Sequence, residues 1–203
     1  MPDRLRKLHS LLGVVPVGFF LIEHLAVSFT AIAGPESFRR AVAFVDALPA
    51  RFALEVVAIA VPLFLHALLG VLIATEPTAN DGPLDARTRF QRVSGILLLP
   101  YLFGHVWSTR FSSARLDAVA LDHVMRRQAD SPLGLFAHIA GVTLASFHLG
   151  VGLPAFAARW GFARTEAAVR RARRVGLALA VVLTVLGVGA MIAFARHPGG
   201  VAR

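Results

Sequence analysis

The chain has no cysteine among its 203 residues. Cysteine forms disulfides and supplies the thiolate ligands of iron–sulfur clusters and of many zinc sites, so the sequence excludes these features within this chain. Glycine-rich dinucleotide motifs, a P-loop and a soluble catalytic domain are also missing. Acidic residues are few, at 12 against 21 lysines and arginines. A self-contained nucleotide-dependent or iron–sulfur enzyme is therefore not expected.

Apolar residues are abundant instead. They make up 56% of the chain, and the mean hydropathy is +0.66, which is high for a soluble protein. Five long stretches carry almost no charge, and a bilayer core of about 30 Å needs ~20 helical residues. The sequence predicts an all-α integral membrane protein with five transmembrane helices, over residues 8–33, 52–75, 91–110, 131–158 and 174–196.

The distribution of basic residues predicts the topology. The net charge is +9, but the basic residues lie between apolar spans rather than on a soluble face, so we do not expect nucleic-acid binding. With a cytoplasmic N-terminus, twelve lysines and arginines fall on the inner side and nine on the outer side. This bias favours an N-in, C-out orientation. Below, "inner" denotes the end that is cytoplasmic in this topology, and "outer" the opposite end.

The connecting segments are short, and the sequence predicts a single domain over residues 1–203. Residues 76–85 are rich in turn formers. Residues 36–49 and 113–128 are predicted to form amphipathic helices on the outer surface. The apolar stripe of the first of these is Phe38, Val42, Val45 and Leu48.

Four histidines lie inside the apolar spans, in "FFLIEHLAVSF", "PLFLHALLG", "YLFGHVWST" and "LASFHLGVG". Such a residue is either a hydrogen-bonded core side chain or a functional group, because ionisable residues are rare within membranes. His24 and His66 are 42 residues apart, and His105 and His148 are 43 apart. The chain thus resembles two repeated helix pairs followed by a fifth helix.

Depth along the spans divides these histidines into two pairs. His24 and His105 lie in the outer halves of outward-running helices, whereas His66 and His148 lie in the inner halves of inward-running helices. The two levels are roughly 10–15 Å apart. An imidazole on each side of one iron is the ligand set of a six-coordinate b-type haem, which suits electron transfer. We therefore predict a four-helix bundle that holds two haem b groups, with the fifth helix at its periphery.

The positions four residues after the histidines carry small or hydroxylated side chains. Glycines at the inner level are predicted to leave room for a flat macrocycle, and hydroxyls at the outer level to form hydrogen bonds there. Ordinary helix packing explains the same residues, since small side chains are common at membrane helix contacts. The residues are Gly70 and Gly152 at the inner level, and Ser28 and Thr109 at the outer level.

The other histidines have different predicted roles. His9 lies at the inner membrane edge, where it would meet a haem propionate or a quinone, or simply the interface. His123 is predicted to be solvated, and His197 lies in the C-terminal tail. His138 is ten residues before His148 and therefore roughly 80° off its face, so it is not a ligand candidate.

The stretches "RKLHSLLGVVPVGFFLIEHL", "LPARFALEVVAIAVPLFLHALLG", "QRVSGILLLPYLFGHVWSTR" and "FHLGVGL" resemble the cytochrome b membrane anchor of succinate dehydrogenase. The type most similar is the single-subunit, five-helix, two-haem anchor of succinate:menaquinone oxidoreductases. The resemblance implies that His24 and His105 hold the outer haem and that His66 and His148 hold the inner haem. It also implies a multi-pass protein of the bacterial inner membrane.

Partners follow from the same resemblance. A flavoprotein subunit with FAD would oxidise succinate, and an iron–sulfur subunit would relay the electrons. This chain, embedded in lipid, would be the quinone-reactive subunit, with menaquinone or another quinone as acceptor, because it lacks a flavin site and a succinate site of its own. The basic residues within 159–174 are either the docking surface for these partners or a topology signal.

Quinone reduction takes up two protons, so protonatable groups should lie near the quinone carbonyls. Glu55 shares a helix face with His66 and lies near the outer level, with Arg51 one turn earlier. A simple ion pair at the membrane edge would also explain them. We favour an outer quinone site. The inner alternative comprises His9, Ser10, Arg92 and Ser94.

The sequence is also compatible with two other functional classes. Buried histidines also serve as proton relays in transporters and channels. A di-haem anchor would also serve another membrane dehydrogenase, such as a hydrogenase.

Overall fold

The computed structural model describes residues 1–76, 85–111 and 117–196. All regular elements within these ranges are helices, which confirms the predicted all-α fold. His197 lies outside the described residues, as do most of the predicted turn at 76–85 and the start of the predicted helix at 113–128.

The first apolar stretch forms two helices that follow one another directly. Helix α1 spans Asp3–Val14 and α2 spans Pro16–Phe29, and a 3₁₀ turn, Thr30–Ala33, continues α2. Proline has no N–H to donate and crowds the preceding turn, so Pro16 interrupts the helix at Val15. The sequence predicted one helix over 8–33; the helical run begins earlier and is broken by this proline.

The second and third predicted spans each contain a π-helical segment. Helix α4 (Arg51–Leu54), the π segment Glu55–Ala60 and α5 (Val61–Ala74) form one continuous helical run. Helix α6 (Ala86–Val106) ends in a second π segment, Trp107–Phe111. Asp85 caps α6, and its hydrogen bonds from Thr88 hold the pKa of this carboxyl below its usual value.

The last two helices are the longest. Helix α8 spans Pro132–Arg159 and α9 spans Glu166–Arg196. The second was predicted to begin at residue 174, and the difference is its first two turns, residues 166–173, which carry three arginines and fall outside the apolar pattern. These are Arg170, Arg171 and Arg173.

Four helical runs in the described part of the chain are long and apolar enough to cross a membrane: Asp3–Ala33, Arg51–Ala74, Pro132–Arg159 and Glu166–Arg196. Large apolar side chains point outward from these runs; Phe19, Phe64 and Leu133 are 73%, 67% and 77% exposed. Such extensive apolar exposure is typical of a surface that faces lipid. Helix α6 is less apolar than these four, because three arginines lie in its first two turns.

Four helical runs form a closed ring: Asp3–Ala33 (α1 and α2), Arg51–Ala74, α6 and Pro132–Arg159. Helix α1 packs against α5, α5 against α6, α6 against α8, and α8 against α1. Helix α9 lies outside the ring, against α8 and α2. The histidine-bearing helices thus surround one interior, and the helix without a histidine in its apolar span lies beside them.

The crossing of α8 and α9 depends on two glycines. A Cβ on Gly150 would overlap the carbonyl oxygen of Gly176, and a Cβ on Gly176 would overlap that of Gly150. Ala180, one turn after Gly176, and Leu183 are each only 1% exposed beside this crossing. Close backbone approach at small residues is the usual basis of helix association in membranes.

Two short helices cover the outer end of the bundle. Helix α3 (Pro35–Asp46) follows α2, and α7 (Ala118–Asp130) precedes α8. We call α3 and α7 the outer cap. Their apolar faces join the outer end of α9 in one core cluster, whose buried members are Ala31, Phe38, Val42, Met125, Ala129, Ala190, Met191, Ala193 and Phe194.

A buried ion-pair network joins the two helices of the outer cap. The Asp122 carboxylate has no exposed surface and accepts hydrogen bonds from Arg39 at 2.8 and 3.0 Å and from Arg126 at 2.9 Å. Removing one partner of such a network leaves a charge buried without compensation. Asp122 therefore fixes α3 against α7.

We expect Gly176→Val to reduce the free energy of unfolding by about 3 kcal/mol. The added side chain would meet the backbone carbonyl oxygen of Gly150, so α8 and α9 would have to separate. Thermal or SDS-induced unfolding of detergent-solubilised protein measures this. Leu177→Val is the matched control, since Leu177 is exposed at 57% on the next position of the same helix. Equal effects of the two substitutions would show that the glycine contact does not stabilise the bundle.

We expect Asp122→Asn to reduce the free energy of unfolding by about 3 kcal/mol, since two arginines then lose the carboxylate that compensates them. The same unfolding measurement applies. Glu166→Gln, which breaks the exposed pair with Arg170, should change it by no more than about 0.5 kcal/mol. An Asn variant as stable as the parent protein would contradict the role given to Asp122.

Candidate functional site

The structure brings His24 of α2 and His105 of α6 together at the outer level. Their ring centroids are 5.8 Å apart and the ring planes are at 84°. Phe20 contacts the His24 ring at 5.3 Å, and Tyr101 stacks on the His105 ring at 5.8 Å. We call His24 and His105 the outer pair.

His66 of α5 and His148 of α8 meet in the same way at the inner level. Their ring centroids are 6.2 Å apart and the ring planes are at 85°. Each pair therefore joins two different helices of the ring with nearly perpendicular imidazoles. We call His66 and His148 the inner pair.

The spacing of the contacts along the helices separates the two pairs in depth. On α6, Ser94 contacts the inner pair and His105 belongs to the outer pair, a separation of eleven residues. On α8, His138 contacts the outer pair and His148 belongs to the inner pair, a separation of ten. At 1.5 Å per residue both helices give a separation of roughly 15 Å.

Hydrogen bonds fix the ring tautomers of the inner pair. The Nδ1 atom of His66 lies 2.9 Å from the backbone oxygen of His9, which can only accept, so Nδ1 carries the proton. The Nδ1 atom of His148 lies 2.8 Å from the Ser94 hydroxyl. That hydroxyl donates to the Gln91 carbonyl at 3.3 Å, so its oxygen accepts from His148. Both rings thus keep an Nε2 lone pair, as a metal ligand requires.

The spacing of the two rings in each pair fits a metal held between two imidazoles. A histidine nitrogen lies about 2 Å from a bound transition metal such as zinc. Two imidazoles on opposite sides of one metal therefore have centroids roughly 6 Å apart, as in both pairs. Within the described residues no three histidine, aspartate or glutamate side chains cluster as a metal site. Two donors suffice for an iron whose other four ligands come from a porphyrin.

Glycines allow close approach to the inner pair. A Cβ on Gly13 would overlap the His66 ring, which therefore rests against the backbone of α1. The His9 ring stacks on the His66 ring, with centroids 4.1 Å apart and ring planes at 12°. The positions predicted to give room to a macrocycle adjoin other polar groups: a Cβ on Gly70 would lie 3.1 Å from His9 Nε2, and one on Gly152 would lie 2.7 Å from Gln91 Nε2.

The two hydroxyls predicted to interact at the outer level each bond within their own helix. Ser28 donates to the backbone oxygen of His24 at 2.8 Å, and Thr109 donates to that of His105 at 2.6 Å. Hydroxyl bonds to the carbonyl four residues earlier are common in helices that lack water around them. The hydroxyl pair does not form a link between the two helices.

His138 is the main neighbour that the sequence analysis missed. It was set aside because it does not share a face with His148, yet its Nε2 lies 3.4 Å from Nδ1 of His105. The available signal was depth: His138 lies seven residues after the start of the predicted span 131–158, and His105 lies five residues before the end of the antiparallel span 91–110. Both positions fall at the outer level.

The predicted outer quinone residues form an ion-pair cluster. Arg51 donates to Glu55 at 3.0 Å and pairs with Asp46 at 2.8 Å, and Arg110 donates to the other oxygen of Glu55. Burial raises the pKa of the Asp46 carboxyl, and the Arg51 guanidinium opposes that rise. Glu55 and Arg110 lie in the two π segments, and π-helical turns frequently mark functional sites.

The predicted inner quinone residues are spread over several contacts. Ser10 accepts a hydrogen bond from the Trp160 indole at 3.3 Å. Arg92 donates to the backbone oxygens of Ala74 at 3.4 Å and Glu76 at 3.1 Å, at the end of α5. Ser94 is fully buried against His148. Among the described residues, the buried Arg92 Nε and Gln91 Oε1 have no hydrogen-bond partner, so both atoms could still bond to a ligand at this end.

Comparison with known proteins identifies a relative that covers nearly the whole chain. The sequence is 41% identical over 193 residues to the succinate dehydrogenase cytochrome b558 subunit of Bacillus subtilis (strain 168). The alignment covers 93% of this chain and 95% of that protein. No family model matches the chain, and no solved structure matches it significantly.

Proposed function

The chain belongs to the family of succinate dehydrogenase cytochrome b subunits, and we propose that it is the single membrane anchor of a succinate:quinone oxidoreductase, with two haem b groups. His24 and His105 would be the axial ligands of the outer haem, and His66 and His148 those of the inner haem. The observation that carries this proposal is the pair of perpendicular imidazole contacts, at 5.8 and 6.2 Å, on two levels of one helical ring.

The residues around the ligands prepare them for this role. The His9 carbonyl and the Ser94 hydroxyl hold the inner rings with Nδ1 protonated, so that Nε2 points its lone pair away from these acceptors. Acceptors of this kind fix ring orientation and raise ligand basicity. When bound, each bis-histidine haem transfers single electrons and has no open position for oxygen.

The proposed electron path begins outside this chain. A flavoprotein subunit with FAD oxidises succinate, an iron–sulfur subunit relays electrons to the inner level, and the outer level delivers them towards quinone. The inner end offers a basic surface on Arg159, Arg164 and the four arginines within 166–174, all four of which are exposed. Charge complementarity would steer a soluble partner to this surface.

The membrane topology that we propose has five spans and a cytoplasmic N-terminus, in a single domain of the bacterial inner membrane. Helix α6 with its π segment is the fifth span. Its inner turns carry Arg87, Arg89 and Arg92 and its outer end carries Arg110, and such side chains extend from a span towards the headgroups.

We place the quinone site at the outer level, beside the ion-pair cluster of Glu55. Two arginines hold the Glu55 carboxylate where α4–α5 meets the end of α6. A carboxylate in this position would supply or relay the protons that quinone reduction consumes. Menaquinone or another quinone with an apolar tail would reach it from the lipid.

The haem assignment predicts how four substitutions group. His24→Leu and His105→Leu should each lose the outer haem and keep the inner one, while His66→Leu and His148→Leu should do the reverse, because a six-coordinate haem needs both ligands. Haem content per purified complex, with redox-titrated optical spectra, measures this. His123→Leu is the control, since His123 is exposed on α7, and it should keep both haems.

Losses grouped in any other way would contradict the ligand pairs. Purified membranes without b-type haem would contradict the cofactor itself and would favour the alternative of a histidine-based transporter. Copurification of soluble subunits other than a flavoprotein and an iron–sulfur protein would indicate an anchor for a different dehydrogenase.

The quinone proposal predicts that Glu55→Gln lowers succinate:quinone reductase activity of the complex by about 100-fold, the usual scale of a lost proton-transfer group. Succinate oxidation with a soluble artificial acceptor should stay unchanged, as should haem content. Glu166→Gln, at the inner end, is the matched control. Normal quinone reduction in the Glu55 variant, with loss in Arg92→Gln, would move the site to the inner level.

A further inference from the structure

His138 is a buried polar side chain that belongs to neither histidine pair. It is 8% exposed and lies on α8, ten residues before His148. Its ring contacts the His105 ring edge-on, with centroids 5.4 Å apart and planes at 67°. A buried imidazole needs partners for its ring nitrogens, so both of them have to be accounted for.

The hydrogen bonds of His138 give it a defined tautomer. Its Nδ1 lies 2.8 Å from the backbone oxygen of Gly134. A carbonyl only accepts, so this nitrogen carries the proton and Nε2 is left as an acceptor. The group at Nε2 is Nδ1 of His105, at 3.4 Å. The His105 proton therefore lies on Nδ1, and the Nε2 lone pair of His105 is free for a metal.

Tyr101 holds both rings in this arrangement. It stacks on His105 at 5.8 Å and 23°, and meets His138 edge-on at 5.9 Å and 84°. On the α8 side, a Cβ on Gly141 would overlap the Tyr101 ring, so a larger residue there would displace it. Helix α8 thus presents one face, with Gly134, His138 and Gly141, to the His105 side of α6.

We propose that His138 is a positioning residue for His105 that orients the ligand ring and lowers the reduction potential of the outer haem. This inference rests on the proposed function, in which His105 is an axial ligand. Accepting a hydrogen bond from the ligand Nδ1–H raises the basicity of the ligand, which favours ferric over ferrous iron. The inner ligands bond to oxygen atoms instead, so an imidazole acceptor is specific to the outer level.

Two substitutions of His138 separate its two hydrogen bonds. In His138→Gln the amide oxygen reproduces the position of Nε2 and still accepts from His105. In His138→Asn the shorter side chain reproduces the Nδ1 donor to Gly134 but does not reach His105. Both variants are neutral and polar, so they differ mainly in the acceptor offered to the ligand.

The experiment is a redox titration of both haems in the purified whole complex. We expect the Asn variant to raise the ferrous:ferric ratio of the outer haem about tenfold at a fixed potential, equivalent to about 59 mV for a one-electron couple. The Gln variant should stay within about twofold of the wild type. The inner haem should be unchanged in both variants, and His123→Gln should change neither haem.

Equal outer-haem potentials in the Gln and Asn variants would overturn the inference, whether both are shifted or both are normal. Loss of the outer haem from both variants alike would overturn it too, because the retained acceptor would then have no effect. Failure of the proposed function has a different signature: His105→Leu would keep the outer haem.

Discussion

The cost of placing an imidazole inside a membrane span governs this structure. A ring nitrogen in an apolar surrounding loses its hydrogen bonds to water and must find another partner. Three of the four paired histidines have an identified Nδ1 acceptor, in the His9 carbonyl, the Ser94 hydroxyl and the His138 ring. In these three rings the opposite nitrogen, Nε2, keeps its lone pair. The helix contacts that bring these acceptors within reach, α1 to α5 and α6 to α8, also close the ring of helices.

Much of the architecture was predictable because it follows from one-dimensional patterns. The lengths of the apolar stretches predicted four long helical runs that the structure also has. The periodicity of Phe38 and Val42 predicted a surface helix, and the structure has that helix, α3, with both residues buried. The predicted helix boundaries were less accurate where a proline interrupts an apolar stretch or where charged residues extend a helix beyond it. Pro16 divides the first span, and arginines occupy the first turns of α9 without ending it.

The site was predictable only as far as depth and helix face determine it. Those two coordinates brought His24 near His105 and His66 near His148 in the prediction, and the structure has the same contacts; iron ligation stays a prediction. Depth and helix face do not determine which other side chains of neighbouring helices contact one another. The stacking of His9 on His66, the approach of His138 to His105 and the double ion pair of Glu55 depend on helix rotation and on side-chain reach. A single sequence does not specify these.

The core of the outer cap has a consequence for biosynthesis. Phe38 and Met125 come from the first two thirds of the chain, but they pack against Met191 and Phe194, close to its end. A ribosome that has completed only α8 has produced an outer cap whose apolar faces lack their third partner. A nascent or truncated chain that stops there would carry exposed apolar surface on the outer cap until the final helix docks.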